Sequence, residues 1–260
     1  MRLGIVGGNG WIGGAIARAV VEGGIVAAKD LTLSCRRDPP EWLPDAHWTG
    51  DNQALADRSE VILVAVRPQD WPSVRLAAGG RLVVSVMAGP TIAAIAAATG
   101  TERVVRALPN AAAAVGASYT PWIASPAAEA GDRAIVRRIL AGVGTEDEVG
   151  SEDVVDYLTG LSGTGPAYPA LLAVAMMRDA VARGLPPAVA RRAVVGLLVG
   201  TGRLFERTGE DPAETVAAFV EYRGVTAAAI EAMRAAGFED AVAAGLAAAL
   251  AKARTLASFG

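Results

Sequence analysis

Leu3-Gly4-Ile5-Val6-Gly7-Gly8-Asn9-Gly10-Trp11-Ile12-Gly13-Gly14 is the stretch whose reading decides the fold. A short apolar segment, Leu3 to Val6, runs into a glycine-rich turn, and Ala15-Ile16-Ala17-Arg18-Ala19-Val20-Val21 continues with helical character. Strand, glycine turn and helix in that order form the unit that wraps a dinucleotide pyrophosphate. Gly8, Gly10 and Gly13 match G-x-G-x-x-G, in which the first glycine allows a tight turn, the second admits the phosphates and the third lets helix close on strand. The phosphates then meet the helix N-terminus, beside Asn9, Trp11 and Ile12. Gly7, Gly10 and Gly13 equally satisfy G-x-x-G-x-x-G, and the sequence leaves open which glycine faces the pyrophosphate.

Working outward, Leu31-Thr32-Leu33-Ser34 reads as the second strand, at whose end a bound adenosine ribose would lie. An acid there favours a free 2′-hydroxyl, whereas Ser34, Arg36 and Arg37 offer a hydroxyl and two forked guanidinium groups suited to a 2′-phosphate. NADPH is therefore the expected cofactor, although two solvated arginines after a strand would look the same. Val61 to Val66 is a continuous apolar run, as in a strand covered on both faces, and Arg67-Pro68-Gln69 follows it. Further strands begin at Arg81 and Val104, the latter leading to Pro109-Asn110, which reads either as a nicotinamide-side wall or as a simple turn. Repeated strand and helix predict an α/β fold, a Rossmann-like doubly wound parallel sheet with ligand at the carboxyl ends of its strands.

From Asp156 onward strand signals vanish. Expected helices run over 166–183, 188–207, 211–220, 226–236 and 238–256, all rich in alanine, which places an all-α domain at 156–260 after a nucleotide-binding domain at 1–155. Their Ala, Val and Leu faces exceed what one small bundle can bury, which predicts a homodimer or higher homo-oligomer.

Leu161-Ser162-Gly163-Thr164-Gly165-Pro166-Ala167-Tyr168 resembles the L-S-G-S-G-P-A-Y segment of pyrroline-5-carboxylate reductases, which use NAD(P)H to reduce a cyclic imine to proline. Ala65-Val66-Arg67-Pro68-Gln69 resembles the family's A-V-K-P-Q, Asp51-Asn52 its D-N, and Val104 to Asn110 its V-R-x-M-P-N. The resemblance implies that Asn52, Ala65, Val66, Arg67, Pro68 and Asn110 meet the cofactor and that Ser162 and Thr164 lie at the substrate. It also implies dimers built by interleaving C-terminal helices. The chain departs from the family at the substrate loop, where S-P-G-G-T-T is replaced by Glu221-Tyr222-Arg223-Gly224-Val225-Thr226. Thr226 matches the threonine that hydrogen-bonds the ring nitrogen and is the candidate catalytic residue; it also suits a helix N-cap. Glu221, Arg223 and Gly224 are the candidate substrate contacts. Arg223 either binds a substrate carboxylate or pairs with Glu221, and the sequence allows both.

Composition narrows the field. A net charge of −3 over 260 residues provides no basic field for nucleic acid or an anionic membrane, so the expected partner is small, and the resemblance implies that it is a cyclic imine. One cysteine, Cys35, and one histidine, His47, are too few for an internal disulfide, a zinc site or a Ser-His-Asp hydrolase, and no metal is expected. No apolar run approaches the length of a membrane span, and the chain opens directly on a strand, so the cytoplasm is the expected compartment. A deazaflavin-dependent NADP reductase shares the Gly-Gly-x-Gly-x-x-Gly opening. A non-catalytic NADP(H)-binding regulator is kept open by the altered loop, whereas a hydroxyacid dehydrogenase lacks its lysine, since the lysines are Lys29 and Lys252.

Overall fold

A computed structural model describes residues 1–36 and 40–256. They form two compact units, one of Met1–Gly165 with the chain from Ala247 onward, the other Pro166–Leu246.

The first unit is built on one sheet. Among the described residues its strands are β1 (Leu3–Val6), β2 (Leu31–Ser34), β3 (His47–Thr49), β4 (Val61–Val64), β5 (Leu82–Ser85), β6 (Val104–Ala107), β7 (Ser118–Ala124) and β8 (Gly144–Glu148), ordered β3-β2-β1-β4-β5-β6-β7-β8. Neighbours from β3 to β6 are parallel, with Leu3 opposite both Leu31 and Val61. The chain crosses from one half of the sheet to the other between β1 and β4, the switch point at which such sheets bind ligands.

Strand alternation distributes the core over both faces. Leu3, Ile5, Val61 and Leu63 join one apolar cluster with Ile16 and Val20 of helix α1 (Trp11–Glu22), while Val6, Ile62 and Val64 join a second with Leu55 and Ile95. Leu55 belongs to α2 (Asn52–Arg58) and Ile95 to α3 (Ile92–Thr99), whose N-caps are the side chains of Asp51 and Thr91. Helices α4 (Ala130–Ala141) and α5 (Glu152–Leu158) complete the regular layers.

Three strands were not anticipated from sequence. β3 is three residues long, β7 contains Pro121, a residue that argues against a strand, and β8 reads Gly-Thr-Glu-Asp-Glu without an apolar run. β8 tolerates these charges because it is an edge strand. The pairing of β7 with β6 is antiparallel, with Val105 opposite Ala124, so the sheet is mostly rather than wholly parallel.

The second unit is helical: α6 (Ala167–Ala182), α7 (Pro187–Thr208), α8 (Pro212–Glu221), α9 (Val225–Ala235) and the first part of α10 (Phe238–Leu256). Gly209, at φ 65°, ends α7, and the Asp211 carboxylate caps α8 by accepting from Ala213 N at 2.8 Å. No residue of α6 is buried despite its apolar sequence; Leu171 is 71% exposed, and Leu197 of α7 is 51% exposed.

Candidate active site

The carboxyl ends of β1, β2 and β4 carry the predicted cofactor residues. Gly7 follows β1 with φ 81°, and a Cβ there would lie 2.7 Å from the Ala65 carbonyl. The tight turn therefore falls on Gly7, and Gly10 N closes it onto Gly7 O at 2.8 Å. Gly13 packs against the turn itself; a Cβ on it would come within 2.5 Å of the Gly7 carbonyl oxygen. Gly8 is buried against Leu33, whereas Asn9, Gly10 and Trp11 are exposed, Trp11 to 80%, and Ile12 is half-buried. Gly10 is the N-cap of α1 without any side-chain cap, so the amide donors of that first turn are open to an anion. This is a cradle that side chains would fill, and it fits a pyrophosphate.

Beyond β2, Ser34 is buried and its hydroxyl donates to Asn52 Oδ1 at 2.7 Å, so the Ser34 proton already has a partner. Arg36 is exposed, and Arg37 lies outside the described residues. Beyond β4, Ala65 and Val66 are half-buried, Arg67 is exposed, and Pro68 opens a short turn of 3₁₀ helix, Pro68–Ser73. Asp70, on that turn, was missed by the sequence reading, whose available signal was an acid three residues after Arg67. Its Oδ2 accepts from Arg67 Nε at 2.9 Å and from Arg36 Nη2 at 3.2 Å. The Arg67 hydrogen bond, with Arg36 adding to it, holds the Asp70 carboxyl below the ordinary aspartate range.

Asn110, 8% exposed, caps the turn Ala111–Val115 by accepting from Ala112 N at 2.9 Å and donates from Nδ2 to Ser162 O at 3.0 Å. The turn expected at Pro109-Asn110 and a strut to the Ser162 segment thus coincide in one side chain. That segment, Thr159–Gly163, is a wide π-helical turn in which Thr164 N reaches Thr159 O at 3.1 Å. Ser162 Oγ and Thr164 Oγ1 each donate to the carbonyl four residues back, Leu158 and Gly160, leaving their oxygen lone pairs as acceptors. Just upstream, Arg106 is 1% exposed and pairs with Glu152 at 3.2 Å and Asp156 at 2.5 Å, which ties β6 to α5 and fixes the base of the π-helical turn.

In the second unit, Glu221 ends α8, and Arg223 and Gly224 form the link to α9. Arg223 has φ 54°, and among the described residues it is the one non-glycine residue with a positive φ. It occupies the place of a glycine in the S-P-G-G-T-T loop, so a residue with a Cβ has been accepted where backbone strain opposes it. Among the described residues it forms no ion pair with Glu221, and of the two roles open to it that pairing is not made. Glu221 instead borders a groove between α8 and α9 with Val216, Val220 and Arg234. The N-cap of α9 is Gly224, not Thr226; the Thr226 hydroxyl is exposed at the second helical position and makes no hydrogen bond among the described residues. The capping role is thereby excluded, and the hydroxyl stands unengaged.

Among the described residues no group of His, Cys, Asp and Glu is placed to hold a metal ion, and no helix is long and apolar enough to cross a membrane.

Comparison with known proteins gives a consistent set of relatives. Residues 152–256 match the family described as pyrroline-5-carboxylate reductase dimerisation, and residues 2–89 match NADP oxidoreductase, coenzyme F420-dependent. The pyrroline-5-carboxylate reductase of Synechocystis sp. is 33% identical over 93% of each chain, and that of Thermus thermophilus is 32% identical over 93% of this chain and 95% of its own. The solved Coxiella burnetii pyrroline-5-carboxylate reductase superposes with a TM-score of 0.88 at 25% identity, covering 98% of both chains. A reductive aminase from Aspergillus terreus shares the fold at a TM-score of 0.58 and 18% identity, covering 85% of this chain and 77% of that one.

Proposed function

The chain belongs to the pyrroline-5-carboxylate reductase family, and from that premise we propose that it is an NADPH-dependent reductase of a cyclic imine, pyrroline-5-carboxylate or a close relative. The observation that carries the reading is the open glycine cradle at the β1/β4 switch point, flanked by Arg36 and Arg67, in one chain with a helical segment of the reductase dimerisation family. We assign residues 1–155 to the cofactor and 156–260 to substrate and self-association, in a homodimer or higher homo-oligomer acting in the cytoplasm. The apolar, unburied face of α6 supports the self-association.

When bound, the dihydronicotinamide supplies a hydride. The residues have complementary tasks. Amide donors at the start of α1 neutralise pyrophosphate charge, and Arg36 and Arg67 meet the 2′-phosphate, with Arg37 as a further candidate. Asn52, Ala65, Val66 and Pro68 would line the adenosine and ribose, and Asn110, which holds the Ser162 segment, would support the nicotinamide side. Thr226 offers a hydroxyl to the imine nitrogen and guides its proton, a task that needs no strong acid because a protonated imine is already electrophilic. Arg223 holds the substrate carboxylate, with Gly224 giving backbone access, and Ser162 and Thr164 accept hydrogen bonds through their lone pairs.

The deazaflavin-linked reading draws on the match over residues 2–89 alone. Oxidation of NADPH by the purified protein, followed with pyrroline-5-carboxylate, an uncarboxylated pyrroline and a deazaflavin as separate acceptors, decides among the readings. Turnover with a pyrroline supports the proposal. Turnover with the deazaflavin alone overturns it, and cofactor binding without turnover of any acceptor identifies a regulator.

A further inference from the structure

Resting on the NADPH reading, we infer that Asp70 is a positioning residue for cofactor selectivity, the carboxylate that gathers Arg36 and Arg67 into one phosphate-binding pair.

The topology creates the need for it. Arg36 follows β2 and Arg67 follows β4, and β1 with its glycine turn runs between these strands. At about 4.8 Å per strand, the two loops spring from points about 10 Å apart. Two guanidinium groups brought together over that gap repel each other, and both are on long, exposed stems, with side chains 77% and 65% exposed. Asp70 is less exposed, at 21%, and its place is fixed by the backbone: Asp70 N donates to Arg67 O at 2.9 Å and Asp70 O accepts from Ser73 Oγ at 2.7 Å. One fixed oxygen, Oδ2, accepts from both arginines. The hydrogen bond from Arg67 lowers the range over which this carboxyl takes up a proton.

Stability does not account for the arrangement. Exposed ion pairs contribute little to folding, because water screens them and long side chains lose freedom in forming them. What the carboxylate supplies is convergence. It uses one edge of each guanidinium and, among the described residues, leaves the remaining N–H donors of both for a dianionic phosphate, which prefers preorganised forked donors. An adenine nucleotide without the 2′-phosphate gains nothing from the pair.

The test compares binding of 2′,5′-ADP and ADP to the full-length protein by calorimetry, with the Michaelis constants for NADPH and NADH measured alongside. Asp70→Asn keeps the shape and removes the charge. It should weaken 2′,5′-ADP binding and raise the NADPH Michaelis constant about tenfold, as expected for loss of a charge-assisted arrangement, with ADP, NADH and the thermal midpoint little changed. Asp70→Glu should restore part of the preference. Because Asp70 acts through the arginines, Asp70→Asn added to Arg36→Gln should cost little beyond Arg36→Gln alone. A preference unchanged or strengthened in Asp70→Asn, or fully additive losses in the double variant, overturns the role of Asp70 while leaving NADPH use intact. Equal use of NADPH and NADH by the unsubstituted protein overturns the NADPH reading and this inference with it.

Discussion

Arg223 is the residue at which backbone physics and proposed function pull in opposite directions. An L-residue in the left-handed region costs about 1–2 kcal/mol, and glycine relieves most of that. Arg223→Gly is therefore expected to raise the thermal midpoint by a few degrees while weakening a carboxylated substrate about tenfold or more, the usual loss for a charge-assisted contact. Reduction of an uncarboxylated pyrroline should be spared. Calorimetric melting with steady-state kinetics on both substrates checks this, and a less stable Arg223→Gly protein would show that the side chain, not the strain, governs the loop. Thr226 is the complementary case: among the described residues its hydroxyl is committed neither to a cap nor to a neighbour. Thr226→Ala should lower kcat with NADPH affinity largely kept, because the contact strengthens as charge changes at the imine nitrogen, and Thr226→Ser should retain much of the rate. An unchanged kcat in Thr226→Ala removes Thr226 from the chemistry. The candidacy of both residues was legible in sequence. Their states were not, since a dihedral angle and an unused hydroxyl are set by how α8 ends and α9 begins.

Elements were legible where a local period recurs. α10 begins where the sequence places it, and the other C-terminal helices differ from the sequence reading by about a residue at each end, because proline, aspartate and glycine mark their ends. β8 was illegible because its residues are charged and its strand character comes only from pairing with β7. The glycine turn belongs to this scale as well. Gly13→Ala should destabilise the first unit by about 1–3 kcal/mol, as overpacking commonly does, and abolish NADPH binding, measured by denaturant unfolding and cofactor titration. Arg103 and Asp132 join the entry to β6 with α4. Arg103 donates to Asp132 through Nε at 3.0 Å and Nη2 at 2.5 Å, and this pair lowers the native Asp132 carboxyl from its ordinary value of 3.8. A depressed native value means that the stabilisation is complete above pH 3.8 and is lost as pH falls below it through the native value. Asp132→Asn should cost about 1.5–3 kcal/mol at neutral pH and flatten the acid limb of the stability curve. An acid limb of unchanged slope would place that dependence in other carboxylates.

At the scale of the whole molecule, the expected species in light scattering is at least twice the 26.4 kDa chain mass, because α6 leaves its apolar residues unburied within the chain. Truncation before Phe238 should leave protein that aggregates or unfolds, since residues from Ala247 onward belong to the first unit: Ala253 is 3% exposed, and a Cβ on Gly160 would meet the Ala249 methyl at 3.0 Å. A well-folded monomer of the full chain would contradict the first point, and a well-folded truncated protein the second. By itself the sequence determined the kind of sheet, the cofactor class and the run of C-terminal helices. Those follow from glycine spacing, from apolar runs and from capping residues, all of them properties of neighbours along the chain. Only the tertiary structure decided that Gly7 rather than Gly8 takes the turn, because the deciding atom is the Ala65 carbonyl. Only it placed Asp70 between two arginines and Asn110 against Ser162, 52 residues away. Such contacts join segments distant in sequence, and no local pattern records them because their geometry exists only after the sheet has brought its strand ends together.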